Sequence, residues 1–222
     1  MGCNRLIFPG ALCCALTTVP VEPSHADWYI GANVGQSSID ASADEIEQAF
    51  LIDDDFVTSG TTLDKTDTGW KGYIGYQFVR FLSLEGGYAD LGEATFTTTI
   101  VDAPAPFDAI TPFDIEGTAS ASGPQLSALL HLPLFGPVSA FARAGAFRWE
   151  AEFTEFIPDT GTTRVARTEA RIDPMYGVGF QVQFASLGAR LEWERLESVG
   201  EGIGGREGRD IDYFSAGVIF EF

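Results

Sequence analysis

At 222 residues the chain is long enough for one domain and a leader. Its 20% charged and 45% hydrophobic residues exclude both a disordered composition and a helical membrane protein. A net charge of −19 repels phosphate backbones, so nucleic acid is not an expected partner.

The first element is a leader. Arg5 precedes the apolar stretch from Leu6 to Leu16, and the small residues Ser24 and Ala26 flank His25 in the small-x-small pattern of a cleavage site. The expectation is a signal peptide over residues 1–26, cleavage after Ala26 and a mature domain over 27–222. The alternatives are a buried helix or an uncleaved anchor, although the stretch is short of the roughly 20 apolar residues a membrane span needs. All three cysteines, Cys3, Cys13 and Cys14, lie in this leader. Their removal leaves no thiolate for catalysis or for a metal site.

Beyond the leader, eight segments alternate in polarity with a period of two, the signature of strands. They cover 28–37, 69–78, 82–89, 116–132, 138–149, 171–184, 187–194 and 213–222. The last is the clearest: Phe214, Ala216, Val218, Phe220 and Phe222 share one face, and Tyr213, Ser215, Gly217, Ile219 and Glu221 the other. The 18 Phe and 25 Gly of the chain suit such strands. Tight turns are expected at 79–80, 133–137 and 185–186, and long polar loops at 38–66, 90–115, 150–168 and 198–210. Short turns at one end and long loops at the other describe an outer-membrane barrel.

Alternation alone does not say which face is wet. One face carries Lys71, Glu85, Arg143, Arg171, Asp173, Arg190, Glu192, Glu194 and Glu221, together with much of the glycine. The other is nearly free of charge. An eight-stranded barrel has an interior just wide enough to be filled by side chains, and ions of both signs can pair there. The expected fold is therefore an all-β, eight-stranded antiparallel up-and-down transmembrane barrel with lipid outside. A soluble barrel with the apolar face inward is the alternative.

The run Gly69-Trp70-Lys71-Gly72-Tyr73-Ile74-Gly75-Tyr76-Gln77-Phe78, then Leu84-Glu85-Gly86-Gly87-Tyr88-Ala89-Asp90-Leu91-Gly92, resembles the second and third strands of the outer membrane protein A-like barrel family. The segments from Phe141 to Trp149, Ala189 to Trp193 and Ser215 to Phe222 resemble its fifth, seventh and last strands. The resemblance implies a bacterial outer-membrane location after Sec-type export. It also implies outer-membrane lipid and lipopolysaccharide, the barrel-assembly machinery and periplasmic chaperones as partners, and a monomer. Gly217, Phe220 and Phe222 match the family's assembly signal, with Glu221 where many relatives carry Arg. By position Glu85, Arg143 and Arg190 match its lumenal ion pairs, while Leu129 stands where a lysine is usual. The ion-pair network expected in the lumen is Lys71, Glu85, Arg143, Arg171, Asp173, Arg190 and Glu192. Classical members also carry a peptidoglycan-binding domain; this chain stops at the barrel, so that function is not carried over.

No catalytic set is expected. The one histidine after the leader, His131, falls near a short turn, whereas barrel lipases need theirs at the opposite rim. Asp53, Asp54 and Asp55 offer hard oxygen ligands to a divalent cation, but without calcium-loop spacing a solvated acidic loop is the better reading. No cofactor is expected. The functional expectation is a structural or narrow porin-like barrel, with an adhesin or receptor surface of acidic loops as the alternative and a lipid-modifying enzyme third.

Overall fold

The computed structural model describes residues 27–54, 56–105, 112–199 and 208–222; the leader lies outside them. The elements in order are β1 (Asp27–Ile39), α1 (Ala43–Asp54), β2 (Val57–Asp64), β3 (Thr66–Val79), β4 (Leu82–Asp102), β5 (Phe113–Phe135), β6 (Val138–Ile157), β7 (Thr162–Phe184), β8 (Leu187–Val199) and β9 (Arg209–Glu221). Alternation predicts eight strands, and there are nine among the described residues. The addition is β2, which lies in what reads as a loop.

Each strand except β2 pairs antiparallel with two neighbours in a circuit, and β4 pairs with β2 as well. β1 pairs with β3 and β9, and the sequence of pairings runs β3–β4, β4–β5, β5–β6, β6–β7, β7–β8 and β8–β9. The pairing therefore returns to its start and forms a ring. β2 stands outside this circuit, paired to the far half of β4 from Val57↔Asp102 to Asp64↔Thr95. Turns at one end are tight. Gly136 (φ 54°) and Ala185 (φ 49°) supply the left-handed residues that two-residue hairpins need.

The strands come in two lengths. β1, β3, β8 and β9 have 13 or 14 residues, whereas the adjacent β4, β5, β6 and β7 have 20 to 23. Much of the sequence expected to be loop at 90–115 and 150–168 is instead a continuation of these four strands. With β2 they make a five-stranded sheet, β2-β4-β5-β6-β7, standing above the ring. The passage from ring to extension on β4 is marked by a register shift between Asp90 and Glu93. Gly92 sits there at φ +77°, and the Asp67 carboxylate accepts from the Glu93 N–H. A left-handed residue in a bulge favours glycine.

The ring is inverted relative to a soluble domain. Arg190 is 1% exposed inside it, while Val218 is 64% exposed outside. The apolar outer band runs from Phe81, Phe135, Phe184, Leu187 and Phe222 at the short-turn end up to Trp70, Tyr88, Tyr176 and Phe214. Aromatic pairs mark both margins: Trp28 with Tyr76 below, Trp70 with Tyr88 and Tyr176 with Trp193 above. The extension has the opposite sense. Its inner face buries Phe56, Phe96, Ile100, Phe113, Ile115 and Ile157, against which Ile46 of α1 packs. Helix α1 starts in a capping box, Ser42 and Glu45 each bonding the other's backbone N–H, and Glu45 pairs with Arg209 of β9 at 3.0 Å.

Candidate functional site

Six ionisable side chains from four strands meet inside the ring. They are inward residues of the alternating pattern: Lys71 on β3, Glu85 on β4, Arg143 on β6, and Arg190, Glu192 and Glu194 on β8, all buried. Arg143 spans the group: one terminal nitrogen bonds Glu192 at 2.5 Å and Glu194 at 2.6 Å, and the other bonds Glu85 at 2.6 Å and Ser127 at 2.8 Å. Arg190 reaches the second oxygen of Glu85 at 2.7 Å, and Lys71 bonds Glu192 at 2.5 Å and also Glu194. Three cations face three carboxylates, so the buried cluster is neutral, which is what makes its burial tolerable.

A polar and aromatic frame holds these ions. Tyr29 donates to Glu85 at 2.8 Å, Asn33 bonds Ser215 at 3.2 Å, and Tyr73 donates to the Asn33 carbonyl oxygen at 3.2 Å. The Arg190 guanidinium lies 4.8 Å from the Phe141 ring centre and 4.9 Å from that of Tyr73. Ser83 links the frame to His131, whose Nε2 is 2.8 Å from the serine hydroxyl. The arrangement positions no nucleophile against an open space; every carboxylate of the cluster is engaged by a cation.

Directly above lies a second layer of different chemistry. Ala89, Leu91, Ala121, Phe147, Trp149, Ala151, Met175, Leu196, Val199, Ile211 and Tyr213 form one buried apolar cluster, with Ile39 packed on it. Its members come from six strands of the ring, β4 to β9, and Ile39 adds β1, so it crosses the whole interior. Polar tips within it are matched: the Tyr213 hydroxyl donates to the Gly69 carbonyl at 3.0 Å and the Trp149 indole to Asp173 at 2.6 Å.

The structure brings together five of the seven predicted network residues, Lys71, Glu85, Arg143, Arg190 and Glu192. Arg171 and Asp173 are not among them. Both are on the inward face but higher on β7; Arg171 is exposed, opposite Trp149, and Asp173 is half-buried, bonded to that indole. At the level of the cluster β7 carries Gly177 beside Arg143 and Gly179 beside Glu192. Alternation gives the face of a residue and not its height. Glu194, absent from the predicted set, completes the charge balance. Leu129 is fully buried beside Arg143, where the resemblance implies a lysine.

Gly217 lies against Asn33, where a Cβ would come within 2.1 Å of the amide oxygen, so glycine leaves room for the frame. Phe220 and Phe222 point outward with ring centres 6.2 Å apart. The run Asp53, Asp54 and Asp55 falls on side chains outside the described residues.

The family described as OmpA-like transmembrane domain matches residues 23–222. Outer membrane protein A of Yersinia pseudotuberculosis serotype I is 25% identical over 209 residues, covering 93% of this chain and 51% of that protein. The Salmonella typhi protein of the same name is 23% identical, with the same two coverages. The chain thus spans about half the length of the curated relatives it matches. Among solved structures, Ail of Yersinia pestis, in complex with the heparin analogue sucrose octasulfate, is similar with a TM-score of 0.48 and 14% identity, covering 89% of this chain and 99% of that one. Neisserial surface protein A is similar with a TM-score of 0.43 and 13% identity, covering 88% and 97%.

Proposed function

The chain belongs to the OmpA-like transmembrane domain family of the bacterial outer membrane, and from that premise we propose that it is a non-conducting eight-stranded barrel with a structural role. The eight strands are those of the ring, with β2 a member of the extracellular extension. The tight turns face the periplasm. One observation carries the reading: the interior is filled twice, by a neutral ion cluster and by an apolar layer above it. An ion path through the first would still meet the side chains of Trp149, Phe147, Met175 and Tyr213, whose polar tips are already engaged. The porin-like alternative is therefore disfavoured.

The test is planar-bilayer recording on refolded protein. The expected result is a silent bilayer for the natural chain and for the Arg143→Met variant, with conductance first reached when Trp149 and Tyr213 are also both cut to alanine in the Arg143→Met background. Steady single-channel steps from the natural chain would refute the closed lumen.

A second reading, display of a binding surface, is favoured by the extension having its own apolar core, which holds an acidic sheet rigidly beyond the membrane. Loss of host-cell or partner binding when the β4–β5 hairpin is shortened would support it. In either case residues 1–26 act as a signal peptide, and N-terminal sequencing of the membrane protein is expected to begin at Asp27. Gly217, Phe220 and Phe222 then serve as the signal read by the barrel-assembly machinery, after periplasmic chaperones deliver the chain, and the product is a monomer. Phe222→Ser is expected to slow assembly in cells more than refolding in detergent.

A further inference from the structure

The lipid-facing surface is not uniformly filled. On β6 the outward residues are Ala140, Ala142, Ala144 and Ala146, beside larger outward side chains of β7 and, except for Ala128 opposite Ala144, of β5. Two hydrogen-bonded rows meet there: Leu130, Ala142, Val178 and Trp193 in one, Leu132, Ala140, Phe180 and Leu191 in the next. The alanines form the floor of a groove of about 850 Å³ lined by Leu130, Ala140, Ala142, Val178, Phe180 and Trp193. All of these side chains lie in the apolar outer band, so whatever fills the groove is hydrocarbon.

Six residues above Ala142 on the same face stands Arg148, exposed and without an ion pair or hydrogen bond to another described residue. It sits two outward positions above Ala144, the partner of Tyr176, and thus just beyond the upper aromatic margin. The next outward rim cation, Arg195, is already paired with Asp212 at 2.6 Å. Six residues of strand span about 20 Å. At a barrel tilt of ~35–45° that run descends roughly 15 Å, half the hydrocarbon core. A free cation at headgroup depth and an apolar groove near the bilayer centre are thus one acyl chain apart.

We propose that this face of the barrel, from Arg148 down the β6 alanines to Ala140, is a binding site for a single outer-leaflet lipid with a phosphate headgroup. Its phosphate pairs with Arg148 and one chain lies in the groove. A second copy of the chain is the weaker occupant, because apolar faces gain no hydrophobic driving force from meeting in lipid. The inference rests on the barrel reading above.

Trp193 in the groove and Trp70 on β3 make internal reporters, with the fully buried Trp149 as a common background. Two parent proteins, Trp28→Phe/Trp70→Phe and Trp28→Phe/Trp193→Phe, are refolded into phosphatidylcholine vesicles holding chain-brominated phosphatidate or brominated phosphatidylcholine. Quenching of Trp193 by the phosphatidate is expected to show a two- to five-fold local enrichment, about what one interfacial cation confers. Trp70 shows none. Ala142→Leu, which fills the groove, removes the enrichment with both lipids, and Arg148→Gln removes only the preference for phosphatidate. Equal quenching at Trp70 and Trp193, or an enrichment untouched by both substitutions, overturns the site. Energy transfer between differently labelled copies that persists on dilution in lipid assigns the groove to a second copy and also overturns it. Heat-modifiable gel migration of each protein reports the barrel itself, so a failure of the fold is seen separately from a failure of the site.

Discussion

The same four strands, β4 to β7, run through two regions built in opposite senses. In the ring, β6 turns Arg143 inward and Ala142 and Ala144 outward; in the extension it turns Ile157 inward and Glu150 and Glu152 outward. The backbone and the alternation are continuous, and only the surrounding solvent changes. Where lipid lies outside, charge must go in and neutralise itself; where water lies outside, the apolar face goes in. Trp149 and the bulge at Gly92 lie at the changeover. Amphipathic alternation thus specifies a strand, and the medium decides which face is the core.

The largest expected effect comes from unbalancing the ring's interior. Arg143→Met leaves Glu85, Glu192 and Glu194 facing only Lys71 and Arg190, and costs about 3–5 kcal/mol. Urea unfolding of refolded protein in vesicles, followed by heat-modifiable migration, measures this. A loss under ~1 kcal/mol would mean that water reaches the cluster. In the other region Ile100→Ala, a fully buried residue of the extension, costs about 2–5 kcal/mol. That loss is local. Amide exchange quickens over 95–102 and 113–118 while the ring's migration stays unchanged, and a change in both would show that the two regions fold as one.

A sharper comparison uses one face of one strand. Ala142→Arg places a cation against lipid and costs ~2–4 kcal/mol near the midplane. Glu152→Arg, on the same face above the membrane, is expected within ~0.5 kcal/mol of the natural chain. Similar costs at the two positions would remove the distinction between lipid-facing and water-facing halves. The smallest effect concerns α1. The Ser42 N–H, followed by Arg209, holds the Glu45 carboxyl below its usual range. Its contribution is therefore complete above the unfolded value of ~4.3 and is lost as pH falls through the lower folded value. Amide protection across 43–48, referred to the intrinsic exchange rate at each pH, should fall on acidification between those limits, and Glu45→Gln should abolish that response.

Much of the ring was legible in the sequence because strand alternation reports faces directly: Lys71, Glu85, Arg143, Arg190 and Glu192 read as inward and are inward. Height was not legible. Arg171 and Asp173 share the inward face and yet sit beside Trp149, because nothing in a period of two says which residues of neighbouring strands lie level. The frame residues Tyr29, Asn33, Tyr73 and Ser127 were hidden for the same reason. The extension reads as loop because its outer face is acidic and rich in threonine and its parity shifts at Gly92, which breaks the alternation of β4. Helix α1 did leave a mark: Ser42-Ala43-Asp44-Glu45 is a capping box that announces a helix start inside the supposed loop.

The seam between β9 and β1, paired from Tyr29↔Glu221 to Ile39↔Ile211, has a consequence for the protein's lifetime. A closed circuit of strands offers no frayed margin from which extraction could begin, so no hairpin can leave lipid without exposing its neighbours' amides to hydrocarbon. Release is therefore all-or-none, and its rate is set by the barrier to opening a seam rather than by the equilibrium between folded and unfolded chain.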